Sequence, residues 1–275
     1  MSVDELKDVL SNLPKSDALA PAEIEAKAEG LGVTKTSMSF RQSFMLSIMA
    51  GAFIAMGAMF FLLVSGDPDL PFAVQRVLGG ALFSLGLLLV IVCGAELFTG
   101  NTMIVMSAAS KKITWGSVIK NWIVVFVGNF VGALIIVGLV YLSGMHTMNG
   151  GIVGQTMVSV ASGKMTPDWL TLFAKGIMCN FLVCLAVWIG YAGKTVADKM
   201  LGILLPIAAF VACGFEHCVA NMFFLPMGIL LSSVGIVPAG IDPSVLTWGG
   251  ALWNWSATVP GNIVGGALFV GMAYW

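Results

Sequence analysis

Charge is what this chain has least of. Of 275 residues only 10% are Asp, Glu, Lys or Arg, while 58% are hydrophobic, and the mean hydropathy is +0.96. A soluble domain of this length could not cover its surface with so few polar groups. The apolar runs are continuous and show no two-residue alternation, which excludes a membrane barrel and leaves a helical integral membrane protein. There is no basic patch and the net charge is −1, so nothing points to nucleic acid. The five cysteines, Cys93, Cys179, Cys184, Cys213 and Cys218, lie in apolar runs without a CxxC. They read as small core residues, neither zinc ligands nor a redox pair. No metal-spaced cluster, serine–histidine pair or paired-aspartate motif stands out at membrane depth, so neither an enzyme nor a cofactor is expected. The polar N-terminus has no apolar core of its own, and no cleaved signal peptide is expected.

What is there is a polar arm followed by six apolar segments. The arm spans residues 1–39, punctuated by Pro14, Pro21, Gly30 and Gly32, with one short helix expected over 21–29. The remainder, 40–275, divides into apolar segments near 41–65, 76–108, 117–143, 169–193, 200–232 and 247–275. About 20 helical residues cross the hydrocarbon core, so the second and fifth segments are too long for one straight helix. Each carries an ionisable island, Gly94-Ala-Glu-Leu-Phe-Thr-Gly-Asn101 and Gly214-Phe-Glu-His-Cys-Val-Ala-Asn221. A helix broken by a loop at membrane depth fits both facts, because irregular backbone is tolerated there only inside protein or along a cavity.

The two islands place Gly, Glu and Asn identically, and Gly128-Asn-Phe-Val-Gly-Ala matches Gly261-Asn-Ile-Val-Gly-Gly. Three spans per copy is an odd number, which predicts an inverted 3+3 repeat with its site between discontinuous helices. With the N-terminus inside, only Arg76, Lys164 and Lys175 of the 13 Lys and Arg residues fall on the outer half. Both termini are therefore expected in the cytoplasm.

Charge inside hydrocarbon is costly, which makes an intramembrane Glu or His a functional candidate. His217 sits beside Glu216 at the second break, and a histidine's ordinary titration range lies near neutral pH and moves with burial, which suggests a pore role. Glu96 and Glu216 are expected to clamp the breaks by accepting hydrogen bonds from freed backbone N–H groups, with a proton relay as the alternative. Thr99 offers a hydroxyl near the first break. Asn101 and Asn221, in the same islands as the two glutamates, are expected to clamp the loops with them, while Asn129, Asn180, Asn221 and Asn262 are amides that can tie helices or line a pore. Lys175 either snorkels or attracts anions. Phe83, Leu87, Leu97, Phe98 and Phe210 are ordinary lipid or core residues by composition.

At these residues the chain resembles the formate/nitrite transporter family of bacterial pentameric channels, which have an aquaporin-like fold. The resemblance covers 40–275 and rests on Ala95-Glu-Leu-Phe-Thr-Gly-Asn, Lys175-Gly-Ile-Met-Cys-Asn, Val183-Cys-Leu-Ala-Val-Trp, Gly214-Phe-Glu-His-Cys-Val-Ala-Asn-Met-Phe and Gly261-Asn-Ile-Val-Gly-Gly. It implies a multi-pass homopentamer in the bacterial inner membrane, with one pore per protomer and a small monovalent anion as substrate. Formate is the first expectation, and proton coupling through the central histidine is a further one. Nitrite or hydrosulfide is the alternative within the family, and a neutral-solute conduit is the alternative on the same fold. The resemblance makes His217 the central pore histidine facing Thr99, with Asn180 and Asn262 as further polar contacts and Lys175 in the vestibule. It places Phe83, Leu87 and Phe210 at one apolar constriction, and Leu97 and Phe98 near the other.

Overall fold

The computed structural model describes residues 2, 3, 5 and 18–275, and every regular element among them is helical. The arm before residue 18, with its Pro14, otherwise lies outside the described residues. The arm helix α1 spans Pro21–Ser37, longer than the 21–29 that its glycines suggested. Tertiary packing overrides their low propensity. Gly32 lies so close to the Ser107 side chain that a Cβ would collide with it. Ile24 and Ala28 are buried on the same helix.

Helix α2 spans Phe40–Ser65, started by Ser39, whose hydroxyl accepts from the Gln42 amide at 3.3 Å. Helix α3 spans Phe72–Cys93. The chain then leaves helical geometry and resumes as α4 (Phe98–Asn101), a 3-10 turn (Thr102–Ile104) and α5 (Val105–Ala109). Helix α6 spans Trp115–Leu142 and α7 Ile152–Met165. Helix α8 spans Trp169–Ala192, capped by Asp168. Helix α9 spans Val196–Ala212 and α10 Cys218–Ser233, with a second break between them. Helix α11 spans Trp248–Ile263 and runs into a π-helix over Val264–Met272. By length and apolarity α2, α3, α6 and α8 suffice to cross a membrane, and α10 is a shorter apolar helix.

Both breaks are built alike. Gly94 (φ 77°) and Gly214 (φ 73°) sit in the left-handed region, where a side chain is strained. Beyond each glycine the chain reverses through a six-to-one bond, Ala95 N–H to the Val90 carbonyl at 2.9 Å and Phe215 N–H to Phe210 at 3.0 Å. The helices around the breaks pack closely through small residues. A Cβ at Gly132 would strike the Ile48 carbonyl on α2, and one at Gly265 the Ile177 carbonyl on α8.

Candidate functional site: two cavities meeting at a threonine–histidine pair

The backbone N–H groups freed by the breaks are taken by asparagines from neighbouring helices. Asn129 Oδ1 on α6 accepts from Phe98 N at 2.9 Å, and Asn262 Oδ1 on α11 accepts from Cys218 N at 2.9 Å. The Asn129 amide donates to the Ser47 and Glu96 carbonyls at 2.7 and 2.9 Å. Asn262 donates to Gly176 and Glu216, both at 2.8 Å. Each asparagine thus pins one loop to one spanning helix, and both are fully buried.

The glutamates do something other than expected: their carboxylates accept from side chains, not from the loop backbone. Glu96 receives Lys35 Nζ of α1 at 2.6 Å and Asn101 Nδ2 at 2.7 Å. Glu216 receives Lys164 Nζ of α7 at 3.0 Å and Asn221 Nδ2 at 2.7 Å. The second N–H of each amide goes outward, from Asn101 to Asn121 Oδ1 at 2.9 Å and from Asn221 to Asn254 Oδ1 at 2.8 Å. A buried carboxylate holding a lysine and an amide is the low-cost way to keep charge out of water.

The two clamps differ in detail: Asn254 Nδ2 also donates to Glu216 Oε2 at 3.3 Å, a bond that Asn121 does not make to Glu96. Lys35 also donates to Asn101 Oδ1 at 2.9 Å. Lys164 makes no such bond, and the buried Asn221 Oδ1 has no partner among the described residues. The Lys164 ammonium lies instead 5.3 Å from the centre of the Phe224 ring.

Each break borders a cavity. The α1 cavity, ≈ 300 Å³, is lined by Leu87, Leu97, Gly100 and Glu96 together with Lys27, Lys35 and Lys199. The α7 cavity, ≈ 280 Å³, is lined by Phe83, Phe210, His217 and Glu216 together with Arg76, Lys164 and Lys175. Each therefore sets three cations against one carboxylate. Arg76 is committed to the Val211 and Ala212 carbonyls, both at 2.9 Å, where it completes the C-terminus of α9. Lys175 has no hydrogen-bond or ion-pair partner among the described residues, and Lys27, on the arm, has its pKa lowered by burial and then by Lys199.

Thr99 lines neither cavity itself, but it precedes Gly100 of the α1 cavity and its Oγ1 meets Nε2 of His217, in the wall of the α7 cavity, at 3.0 Å. His217 is also the N-cap of α10, its Nδ1 accepting from the Ala220 amide at 3.0 Å. An accepting Nδ1 carries no proton, so the neutral ring holds its proton on Nε2 and donates it to Thr99. The ring stacks on Phe210, with centroids 5.8 Å apart. Phe83 meets Phe210 edge-on at 5.6 Å.

Several residues fall elsewhere than the motif alignment suggested. Leu87 joins Leu97 at the α1 cavity, not the phenylalanine pair. Phe98 lines neither cavity. It opens α4 with its ring against Phe126 and Trp122, at 5.1 and 6.3 Å, in an apolar groove lined by α6 and α11. Asn180 and Asn262 do not face the cavities either. Asn180 Nδ2 is spent on the Asn262 carbonyl (2.6 Å), the Thr99 carbonyl (3.1 Å) and Thr102 Oγ1 (3.1 Å). It holds Thr99 in place from behind, in the space left by Gly266 of the π-helix.

Lys35, Asn121, Asn254 and the tryptophans Trp122 and Trp255 were not singled out from the sequence. Trp122 donates to the Asn101 carbonyl at 2.9 Å and Trp255 to the Cys218 carbonyl at 3.2 Å. The Asn-Trp pairs 121–122 and 254–255 stand at the same offset as Asn129 and Asn262, so extending the internal match would have found them. Lys35 and Lys164 lie 61 and 52 positions before their glutamates, and no constant offset relates them.

Comparison with known proteins gives this geometry its kinship. A family profile described as formate/nitrite transporter matches residues 22–275. The formate channel FocA of Escherichia coli strain K12 is 41% identical over 270 residues, 94% of each chain. Formate channel BtFdhC of Bacillus thuringiensis is 37% identical over 263 residues, again covering 94% of each. A solved pentameric formate channel with formate bound superposes with a TM-score of 0.80 at 39% identity, covering 86% of this chain and 96% of the other. An FNT family ion channel gives 0.81 at 29% identity, with 92% and 98% covered. The chain belongs to the formate/nitrite transporter family.

Proposed function

We propose that this protein conducts small monovalent anions across a membrane, with formate as its substrate, through a pore that joins the α1 and α7 cavities at Thr99 and His217. The observation that carries this is the buried Thr99–His217 bond, which links the wall of the α7 cavity at His217 to the residue before Gly100 of the α1 cavity, each cavity holding an excess of cations. The relatives described as formate channels support the choice of formate.

The route follows from the lining. An unpaired Lys175 raises the anion concentration in the α7 cavity. Phe83 and Phe210 on one side, and Leu87 and Leu97 on the other, strip its water. The loss of water is offset by the N-terminus of α10 and by the Thr99 hydroxyl. With His217 donating to Thr99 Oγ1, the threonine's own proton is free to turn toward the anion. Adding a second proton to His217 means breaking its bond to the Ala220 amide. Proton coupling through this ring therefore proceeds by release of the α10 cap, and the resting state is neutral.

The wider assembly is read in the same terms. The matched loop ties support an inverted 3+3 repeat of six spans, with α1 and α7 as corresponding elements. Residues 1–39 form an arm whose helix closes the α1 cavity, and residues 40–275 form the channel domain. The solved pentameric relative supports a homopentamer embedded in lipid, and the distribution of Lys and Arg supports a bacterial inner-membrane protein with cytoplasmic termini. Uptake of labelled formate into liposomes, competed by nitrite and hydrosulfide, tests the substrate. Formate transport least sensitive to either competitor is expected, and uptake of either anion without formate would overturn the choice.

A further inference from the structure

Outside the pore, a third cavity of ≈ 110 Å³ opens where α1 gives way to α2 beside the first turns of α6. It is lined by Lys35, Thr36, Ser43, Ser117, Lys120 and Asn121, with Met38, Phe40 and Val124 completing the wall. Three features set it apart from a solvated surface dip. Ser43 is only 7% exposed, yet its hydroxyl has no hydrogen-bond partner among the described residues. Lys120 is exposed and equally unpartnered, although its neighbours on α6, Ile119 and Ile123, are exposed apolar residues. Lys35 lines this cavity and the α1 cavity alike.

The depth is also informative. Phe40 begins the apolar helix α2 and Trp115 begins α6, and both are exposed, at 62% and 56%. Aromatic residues at the ends of apolar helices mark the headgroup level of a bilayer. A compact site at that level has donors that a tetrahedral oxyanion takes: the Lys120 ammonium, the Ser43 hydroxyl and the Ser117 hydroxyl, which it shares with Thr114 Oγ1 at 2.9 Å.

We propose that this cavity binds a phosphate group, either on the headgroup of an anionic phospholipid or as free phosphate. Lys120 and Ser43 supply the donors, and Lys35 stands at its inner wall. Because the Lys35 ammonium also holds Glu96 and Asn101, an occupant competes for the ammonium that closes the clamp on the first break. The site is separate from Thr99 and His217 and does not depend on what the pore conducts.

The test is binding to the full chain purified in uncharged detergent, read by tryptophan fluorescence. Dihexanoyl phosphatidylglycerol, inorganic phosphate and, at equal ionic strength, sodium chloride would be titrated in parallel. Saturation by both phosphate probes and not by chloride is expected, with Lys120→Gln and Ser43→Ala each weakening it roughly tenfold. Saturation by the lipid alone would assign the site to a headgroup, and saturation by inorganic phosphate alone to a soluble anion; either supports it. No saturation beyond that of chloride would overturn the proposal. So would saturation that neither variant changes in well-folded protein.

Discussion

Asn262 and His217 have separable jobs at the second break. Asn262 satisfies the Cys218 amide and donates to the Glu216 carbonyl of the loop and the Gly176 carbonyl of α8. Asn262→Ala leaves those groups unpaired in a dry site, at about 1–3 kcal/mol for each buried group left without a partner. The thermal midpoint of the detergent-solubilised protein should fall clearly, and an unshifted midpoint would contradict the tie. His217 caps α10 through Nδ1 and donates to Thr99 through Nε2. His217→Ala loses both and should cost about 0.5–2 kcal/mol as a lost cap. Asparagine is a good N-cap, so His217→Asn should keep the stability and lose only the donation to Thr99. Equal destabilisation by the two variants would remove the capping role.

Much of this was legible in the residues. Apolar runs too long for one helix, each carrying a glutamate, predicted the breaks where α3 gives way to α4 and α9 to α10. The internal match predicted that Asn129 and Asn262 would correspond, and they do the same work. What could not be read was direction. Phe98 lies at the first position of a four-residue helix, too short for periodicity to tell which side its ring takes. The acceptors of Glu96 and Glu216 were mistaken for loop ties because their lysines arrive from α1 and α7, distant in sequence and at unequal spacing. The π-helix after Pro260 has no periodic signature, yet it leaves the space that Asn180 occupies.

At the scale of elements, the two clamps make an uneven pair. Lys35 holds Glu96 and Asn101 together, whereas Lys164 holds Glu216 alone and leaves Asn221 Oδ1 unpaired. Losing one partner of a fully buried ion pair costs roughly 3–5 kcal/mol, and these lysines retain 17% and 16% side-chain exposure, so somewhat less applies to each. Lys35→Met should therefore lower stability more than Lys164→Met, and each should be partly rescued by changing its glutamate to Gln. The reverse order in chemical denaturation would contradict the assignment of bonds.

The arm helix adds a pH dependence of its own. Burial of Glu29 raises its pKa, but hydrogen bonds from Lys112 and Ser110 outweigh this and hold it below the ordinary glutamate value of 4.5. A carboxyl with a depressed folded-state pKa gives stability that is complete above the unfolded value and is lost as pH falls through the folded one. The α1 contact with the loop after α5 should therefore weaken only below about pH 4.5. Hydrogen exchange of α1 across that range should show the opening, and Lys112→Ala should move it to higher pH. Protection of α1 that is independent of pH and of Lys112 would dismiss the latch.

For the whole molecule, the account requires two charged cavities to become one pathway only at Thr99 and His217. The apolar groove lined by α6 and α11, with Phe98, Trp122, Phe126 and Val259 in its wall, is then free to meet lipid or a neighbouring protomer. The measurement that bears most directly on the central claim is formate current across a planar bilayer containing the purified protein, compared between wild type and His217→Asn at two pH values. The account predicts a formate-selective current in the wild type, and in the equally stable variant a current whose size and pH response are both altered. A formate current indifferent to His217 would place the pathway elsewhere, and the absence of anion current from well-folded wild-type protein would contradict the channel itself.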